Sequence, residues 1–217
     1  MGYEVHITRA IPSLYFQRFP VTAAEVLDGV RQAADLDVPT NPGPSSEIFP
    51  ITVGKDDWLL FSHGELRTKH PSEQLIRRML ALAATLDAWV LGDDEHIYAE
   101  ENGQIVARPA VLTDLPYPTY FIARHDKISA SEWEGVVGTQ SDFAWWTRVE
   151  ARVPSGLKWI GSPPVACWTG HPAGKPVPFF FDEYDRGIEV LQPDSATLTR
   201  MRVLAPRLDA EVLRDPP

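Results

Sequence analysis

Asp93, Asp94, Glu95 and His96 stand side by side in the segment LGDDEHIYAEENGQIVARP. Carboxylate oxygens and an imidazole nitrogen in one turn are donors that a divalent cation takes up, so a metal-dependent enzyme or regulator is one chemistry open to this stretch. A second ligand cluster would strengthen that reading, and none is present. His6, His63, His70, His125 and His171 are scattered without HxxxH or HExxH spacing, and a single cysteine rules out CxxC. Downstream, IYAEENGQIVA reads as strand, Asn-Gly turn and strand, the strongest short-range signal for a β-hairpin. Asp93, Asp94 and Glu95, with Glu100 and Glu101 of that hairpin, then read as an exposed acidic surface for a basic partner, with no metal or cofactor required.

Other chemistries find less support. GxSxG is absent, and CWTGH places Cys167 and His171 four apart, which matches no haem-attachment or protease pattern. Neither GxGxxG nor GxxxxGKS occurs, so nucleotide binding is not expected. No catalytic residue is assigned. Five of the seven tryptophans lie in the second half, and DFAWWTR places Trp145 and Trp146 on opposite faces of a strand. One of the pair is expected at the surface, where Trp serves as an interface anchor.

The elements that must position these residues follow from composition and pattern. With 217 residues, 44% of them hydrophobic, the chain is long enough to bury a core in one large domain or two small ones. Residues 1–110 carry 9 Lys+Arg against 16 Asp+Glu, net −7, and the rest 11 against 14, net −3, together the overall −10. An acidic field disfavours nucleic acid and attracts basic partners. One cysteine, no apolar run of membrane length and a polar, charged start imply a cytoplasmic protein without a membrane segment.

RMLALAATLDAWVL and RMRVLAPRLDAEVL repeat the same phrase at an offset of 122, with ten identities in the twenty-one positions from Pro71/Pro193 to Leu91/Leu213. Leu75, Ile76, Met79, Leu82, Ala83 and Leu86 form one helical stripe; Leu198, Met201, Leu204, Ala205 and Leu208 form another. Pro71 and Pro193 are expected at the first helical position. VTAAEV (21–26) and ISASEW (128–133) match at an offset of 107, and each is spaced as a capping box, Thr22 with Glu25 and Ser129 with Glu132. The pattern predicts an α+β protein of two tandem related modules, residues 1–110 and 111–217, each a small, mostly antiparallel sheet covered by a long amphipathic helix. The proline-bearing segment 108–118 is the expected linker, and Pro206 should kink or shorten the second long helix, with a kink expected near 202–206.

YEVHITRA, TKHPSEQLIRRMLALAATLDAWVLGDDEHIY and the second-copy segments WTGHP and FDEYDRGIEVLQPDSATLTRMRVLAPRLDAEV resemble a group of small, largely uncharacterised bacterial proteins. Their pattern runs YxxHITRA, KNPD, KMxxIAxxLxA and GDDGExY. Here His70 and Gln192 replace the Asn before the long helix, Glu95 replaces a Gly, and the second copy lacks the acidic turn. The resemblance implies an immunity-type protein that occludes the surface of a cognate toxin, itself basic. A metal-dependent enzyme using the 93–96 turn and a scaffolding module are the alternatives. Oligomeric state is left open.

Overall fold

Alternation of apolar and polar residues in YEVHITR makes a strand, and in the computed structural model β1 (Glu4–Thr8) sends Val5 and Ile7 into the core, neither exposed. The structure describes residues 3–11, 13–39, 41–55, 57–110, 119–182 and 187–214. Most of the expected linker, 111–118, lies outside them. Two compact units are distinguished, residues 1–112 with 150–162, and residues 113–149 with 163–217.

In the first unit β1 is followed by a 3₁₀ turn (Ser13–Arg18), α1 (Ala23–Gln32), β2 (Leu36–Asp37), β3 (Ile48–Val53), β4 (Asp57–Ser62) and β5 (Glu65–Lys69). Then come α2 (Glu73–Leu86), β6 (Trp89–Gly92), β7 (His96–Glu101) and β8 (Gln104–Pro109). The strands form an eight-stranded sheet in the order β2-β3-β4-β5-β1-β6-β7-β8. β1 lies between β5 and β6 and is antiparallel to both, with His6 opposite Arg67 on one side and Leu91 on the other. α2 buries Leu75, Ile76, Met79, Leu82, Ala83 and Leu86. Asn102 and Gly103, with φ of 51° and 78°, supply the two left-handed residues that a tight β7–β8 turn of the Asn-Gly kind requires.

The second unit's sheet is six-stranded, in the order β10-β11-β12-β13-β9-β14. Its strands are β9 (Thr119–Ala123), β10 (Phe143–Val153), β11 (Gly156–Trp168), β12 (Val177–Asp182), β13 (Gly187–Leu191) and β14 (Glu211–Arg214), with helices α3 (Ala130–Gly138) and α4 (Ser195–Leu204). The tip of the long β10–β11 hairpin, residues 150–162, counts with the first unit. The core of this unit gathers Trp133, Phe179, Ile188 and Met201, none more than 1% exposed.

Three expectations are corrected. Neither sheet is small, because the middle of each half, expected as variable connection, folds into β2–β4 and β10–β12, and the β7–β8 hairpin widens the first sheet further. Pro71 and Pro193 are not the first helical residues. Ser72 Oγ accepts from Leu75 N at 3.1 Å and Asp194 Oδ1 from Thr197 N at 2.8 Å, so Ser72 and Asp194 are the N-caps and each proline precedes its cap. Pro206 shortens the α-helix, one of the two outcomes expected of it: α4 ends at Leu204 and passes into a 3₁₀ turn over Ala205–Leu208. Thr197, not Leu198, is the fully buried first-turn residue.

Candidate functional site

β1 and the 93–96 turn build one polar cluster. Asp93 Oδ2 accepts the backbone N–H of Glu4 at 2.8 Å, and its Oδ1 lies 3.1 Å from His6 Nε2. The other ring nitrogen, Nδ1, lies 3.0 Å from Glu65 Oε2, and Glu65 is 3% exposed. Asp94 Oδ1 accepts from the Tyr3 hydroxyl at 3.0 Å, and that hydroxyl sits 2.9 Å from Tyr98 Oη. A Cβ at Gly92 would fall 2.0 Å from Tyr3 Oη, so the close approach of the phenol to the turn requires glycine there. Glu95, with φ 58°, turns toward Ser13, whose hydroxyl is 3.5 Å from Oε1, while Oε2 is buried without a hydrogen-bond partner.

Electrostatics decide what this cluster can do. Two carboxylate acceptors, one on each side of the ring, call for two N–H donors, so His6 is held as the imidazolium. Burial opposes that charge, but the hydrogen bonds and negative charges of Glu65 and Asp93 outweigh it and raise the His6 pKa above its ordinary value. A ring with both nitrogens engaged has no lone pair to act as base, nucleophile or metal ligand. Burial raises the Tyr3 phenol, with the Tyr98 and Asp94 hydrogen bonds adding to it. Burial also raises Glu95, although the Ser13 bonds pull the other way. Asp94 is lowered, because the Tyr3 hydrogen bond and neighbouring donors exceed a burial effect of opposite sign.

Asp93, Asp94, Glu95 and His96 therefore diverge: toward His6 and β1, toward Tyr3, toward Ser13, and back onto the turn, where His96 Nδ1 is 3.1 Å from Asp94 O. Among the described residues, no three His, Cys, Asp or Glu side chains converge as ligands for a metal ion. Because its folded pKa is raised, His6 contributes stability in full below its unfolded value, about 6.5, and loses that contribution as pH rises through the folded value. The difference in urea midpoint between wild type and His6→Gln should accordingly be widest near pH 6 and narrow steadily in more alkaline buffer.

Glu100 and Glu101 lie on β7, where Arg77 Nε is 3.4 Å from Glu100 Oε1 and Arg108 Nη2 is 2.6 Å from Glu101 Oε2. Glu100 is exposed and Glu101 half-buried, as β8 forms the sheet edge beside them. Trp145 is 45% exposed on β10, while Trp146 is half-buried, so the alternation separates them as the strand pattern requires. Trp145 and Trp146 belong to the second unit and the acidic residues to the first.

A second constellation corresponds to no sequence motif. Arg9, 9% exposed, donates Nε and Nη2 to Leu86 O at 3.2 and 2.8 Å, and Nη2 to Glu25 Oε1 at 2.7 Å. Arg124 donates Nη1 to Leu208 O at 2.6 Å and Nη2 to Glu132 Oε1 at 2.8 Å. In each unit an arginine just past the first strand ties the capping-box glutamate to the carbonyl at the end of the long helical segment. Glu132 is held down to about 2 by the Ser129 backbone N–H and then by Arg124. The available signal was an arginine following each aromatic strand, in YEVHITR and YFIAR. Arg9→Met should cost about 2–3 kcal/mol, because it strands a buried helix-end carbonyl and a half-buried carboxylate. Arg124→Met should cost less, since its side chain is 21% exposed. Urea denaturation of the two variants reads both.

No protein-family model, curated protein or solved structure matches the chain.

Proposed function

We propose that this chain is an immunity-type binding protein that neutralises a cognate, basic toxin in the cytoplasm by covering its active surface, with its acidic first unit as the main contact. The observation that carries the reading is the fixing of exposed carboxylates. Asp93 and Asp94 face solvent, yet Glu4 N, His6 and Tyr3 hold them in place. Carboxylates held this way lose little conformational freedom on meeting a partner. Glu100 and Glu101, at the far end of β7 from the 93–95 turn, extend the acidic surface, and the charges together suit electrostatic steering. The half-exposed ring of Trp145 is an additional anchor. Among the described residues, no helix is long and apolar enough to cross a membrane.

Within this reading the two units are tandem copies of one α+β module. The repeated arginine clamp supports it, as does the matching order β5-β1-β6 and β13-β9-β14. Ile7 faces Leu66 and Val90, while Ile122 faces Ile188 and Val212, which keeps the offset of 122 on both flanking strands. Left-handed residues recur at His70 and Gln192 and at Asp87 and Asp209, with φ between 43° and 50°.

The test must avoid Asp93, because replacing it also disturbs His6. Glu100→Gln combined with Glu101→Gln removes two charges from the acidic surface and leaves the His6 cluster intact. Affinity capture from the native host with the tagged chain is expected to recover a basic protein, and toxicity of that protein should be relieved by co-expression of this chain. Recovery of no basic partner, or a partner whose toxicity is unchanged, rules the reading out.

A further inference from the structure

Asp87 and Asp209 end their long helical segments in the left-handed region, with φ of 50° and 49°. Glycine or asparagine is the usual choice there, so an aspartate is retained at some cost in backbone freedom. At Asp87 the side chain has a use. Its carboxylate accepts the Ser155 N–H at 3.0 Å, the Ser155 hydroxyl at 2.6 Å and the Lys158 ammonium at 2.5 Å, all within the first unit. The tip of the β10–β11 hairpin thus seats a turn on the helix end, beside a cleft of about 410 Å³ that includes Arg9, Glu25 and Trp159.

Asp209 has the same backbone position and no such turn. It is exposed, and its carboxylate accepts no hydrogen bond from the described residues. Beside it lies an open groove of about 370 Å³ flanked by Arg124, Glu132 and Arg207, with Val136 and Leu208 as its apolar lining. Glu132 is already matched by Arg124, which leaves the Asp209 carboxylate as the unmatched anion. Among the described residues Arg207 donates to Thr139 Oγ1 alone, at 3.3 Å, and retains further N–H groups for a carbonyl oxygen.

We propose that this groove is a receptor for a β-turn of a partner protein that presents a backbone N–H, a hydroxyl on the same residue and an ammonium three residues on, as Ser155 and Lys158 do for Asp87. A second copy of the chain is not the occupant, since its own Ser155 and Lys158 are engaged by its own Asp87. The proposal deepens the partner-binding function and rests on the kinship of the two units. It does not depend on the acidic surface of Asp94, Glu100 and Glu101, so the two can fail separately.

The probe is a backbone-cyclised hairpin peptide carrying residues 150–162, titrated into the full chain by calorimetry. Wild type should bind one equivalent, and Asp209→Asn, which keeps the left-handed preference, should weaken binding about tenfold, the loss expected for charge-assisted hydrogen bonds. Peptides with Ser155→Ala or Lys158→Ala should show comparable losses. A full chain carrying Ser155→Pro and Lys158→Ala, which removes the backbone N–H, the hydroxyl and the ammonium from Asp87, should take up a second equivalent, which establishes that the probe is competent. A second site in that variant with no Asp209-dependent site in wild type overturns the proposal. So does failure to bind at either aspartate, since the recognition chemistry would then fail at its own template. Concentration-dependent self-association lost in Asp209→Asn would overturn the choice of occupant.

Discussion

Replacing His6 by alanine lowers the unfolding free energy by about 3–5 kcal/mol, the range for breaking a buried ion pair by removing one partner. Glu65 is the reason. It is 3% exposed, and the imidazolium 3.0 Å away supplies its nearest positive charge. Without that ring the carboxylate is left buried without its charge partner, which is costly. Asp93 suffers less, since its side chain is 46% exposed and water replaces the lost bond. The second prediction separates charge from packing: His6→Phe together with Glu65→Leu should be more stable than His6→Ala alone, because removing both members of a buried pair avoids the stranded charge. Urea unfolding at pH 7 measures both variants. A cost below about 1 kcal/mol for His6→Ala, the level of a surface ion pair, would show that the cluster is solvated rather than buried.

Trp133→Ala carries an expected loss of similar size, about 3–5 kcal/mol, through a different cause. The indole is 1% exposed and lies at the centre of the second unit's core. Phe179 stacks on it with ring centroids 6.2 Å apart, and Phe143 meets it edge-on, also at 6.2 Å. Truncation removes the transfer free energy of a large apolar ring and leaves a cavity that neighbouring strands cannot collapse into without moving. The indole N–H is buried without a hydrogen-bond partner among the described residues, so Trp133→Phe should recover most of the loss and retain no polar atom to satisfy. Unfolding of Trp133→Ala should lose the second unit before the first, giving two transitions by circular dichroism where the His6 variant destabilises the first unit.

Local sequence signals accounted for the helices and for one hairpin. Leu75, Ile76, Met79, Leu82, Ala83 and Leu86 follow the period of a helix, and all six are buried. Thr22 with Glu25 and Ser129 with Glu132 form reciprocal capping boxes because the hydroxyl and carboxylate are separated by one helical turn. Asn102–Gly103 specifies its own turn. Sites assembled across strands were not legible in the same way. His6 meets Glu65 and Asp93 across 59 and 87 residues of chain, and only the antiparallel register of β1 against β5 and β6 brings them together. Of the long β10–β11 hairpin only the start of β10 was legible, in DFAWWTR, because the first half of β11 is mostly exposed without an apolar–polar alternation to mark it, and the tip counts with the first unit. The depth of Trp133 depends on Phe143 and Phe179, which reach it only through the tertiary fold.

Association kinetics of the chain with its captured basic partner, followed from low salt to about 1 M, where the Debye length is about 3 Å, bear most directly on the binding function. Glu100→Gln/Glu101→Gln is expected to slow association several-fold at low salt, with wild type and variant converging as salt rises and dissociation little changed. Equal association rates at every ionic strength would contradict it.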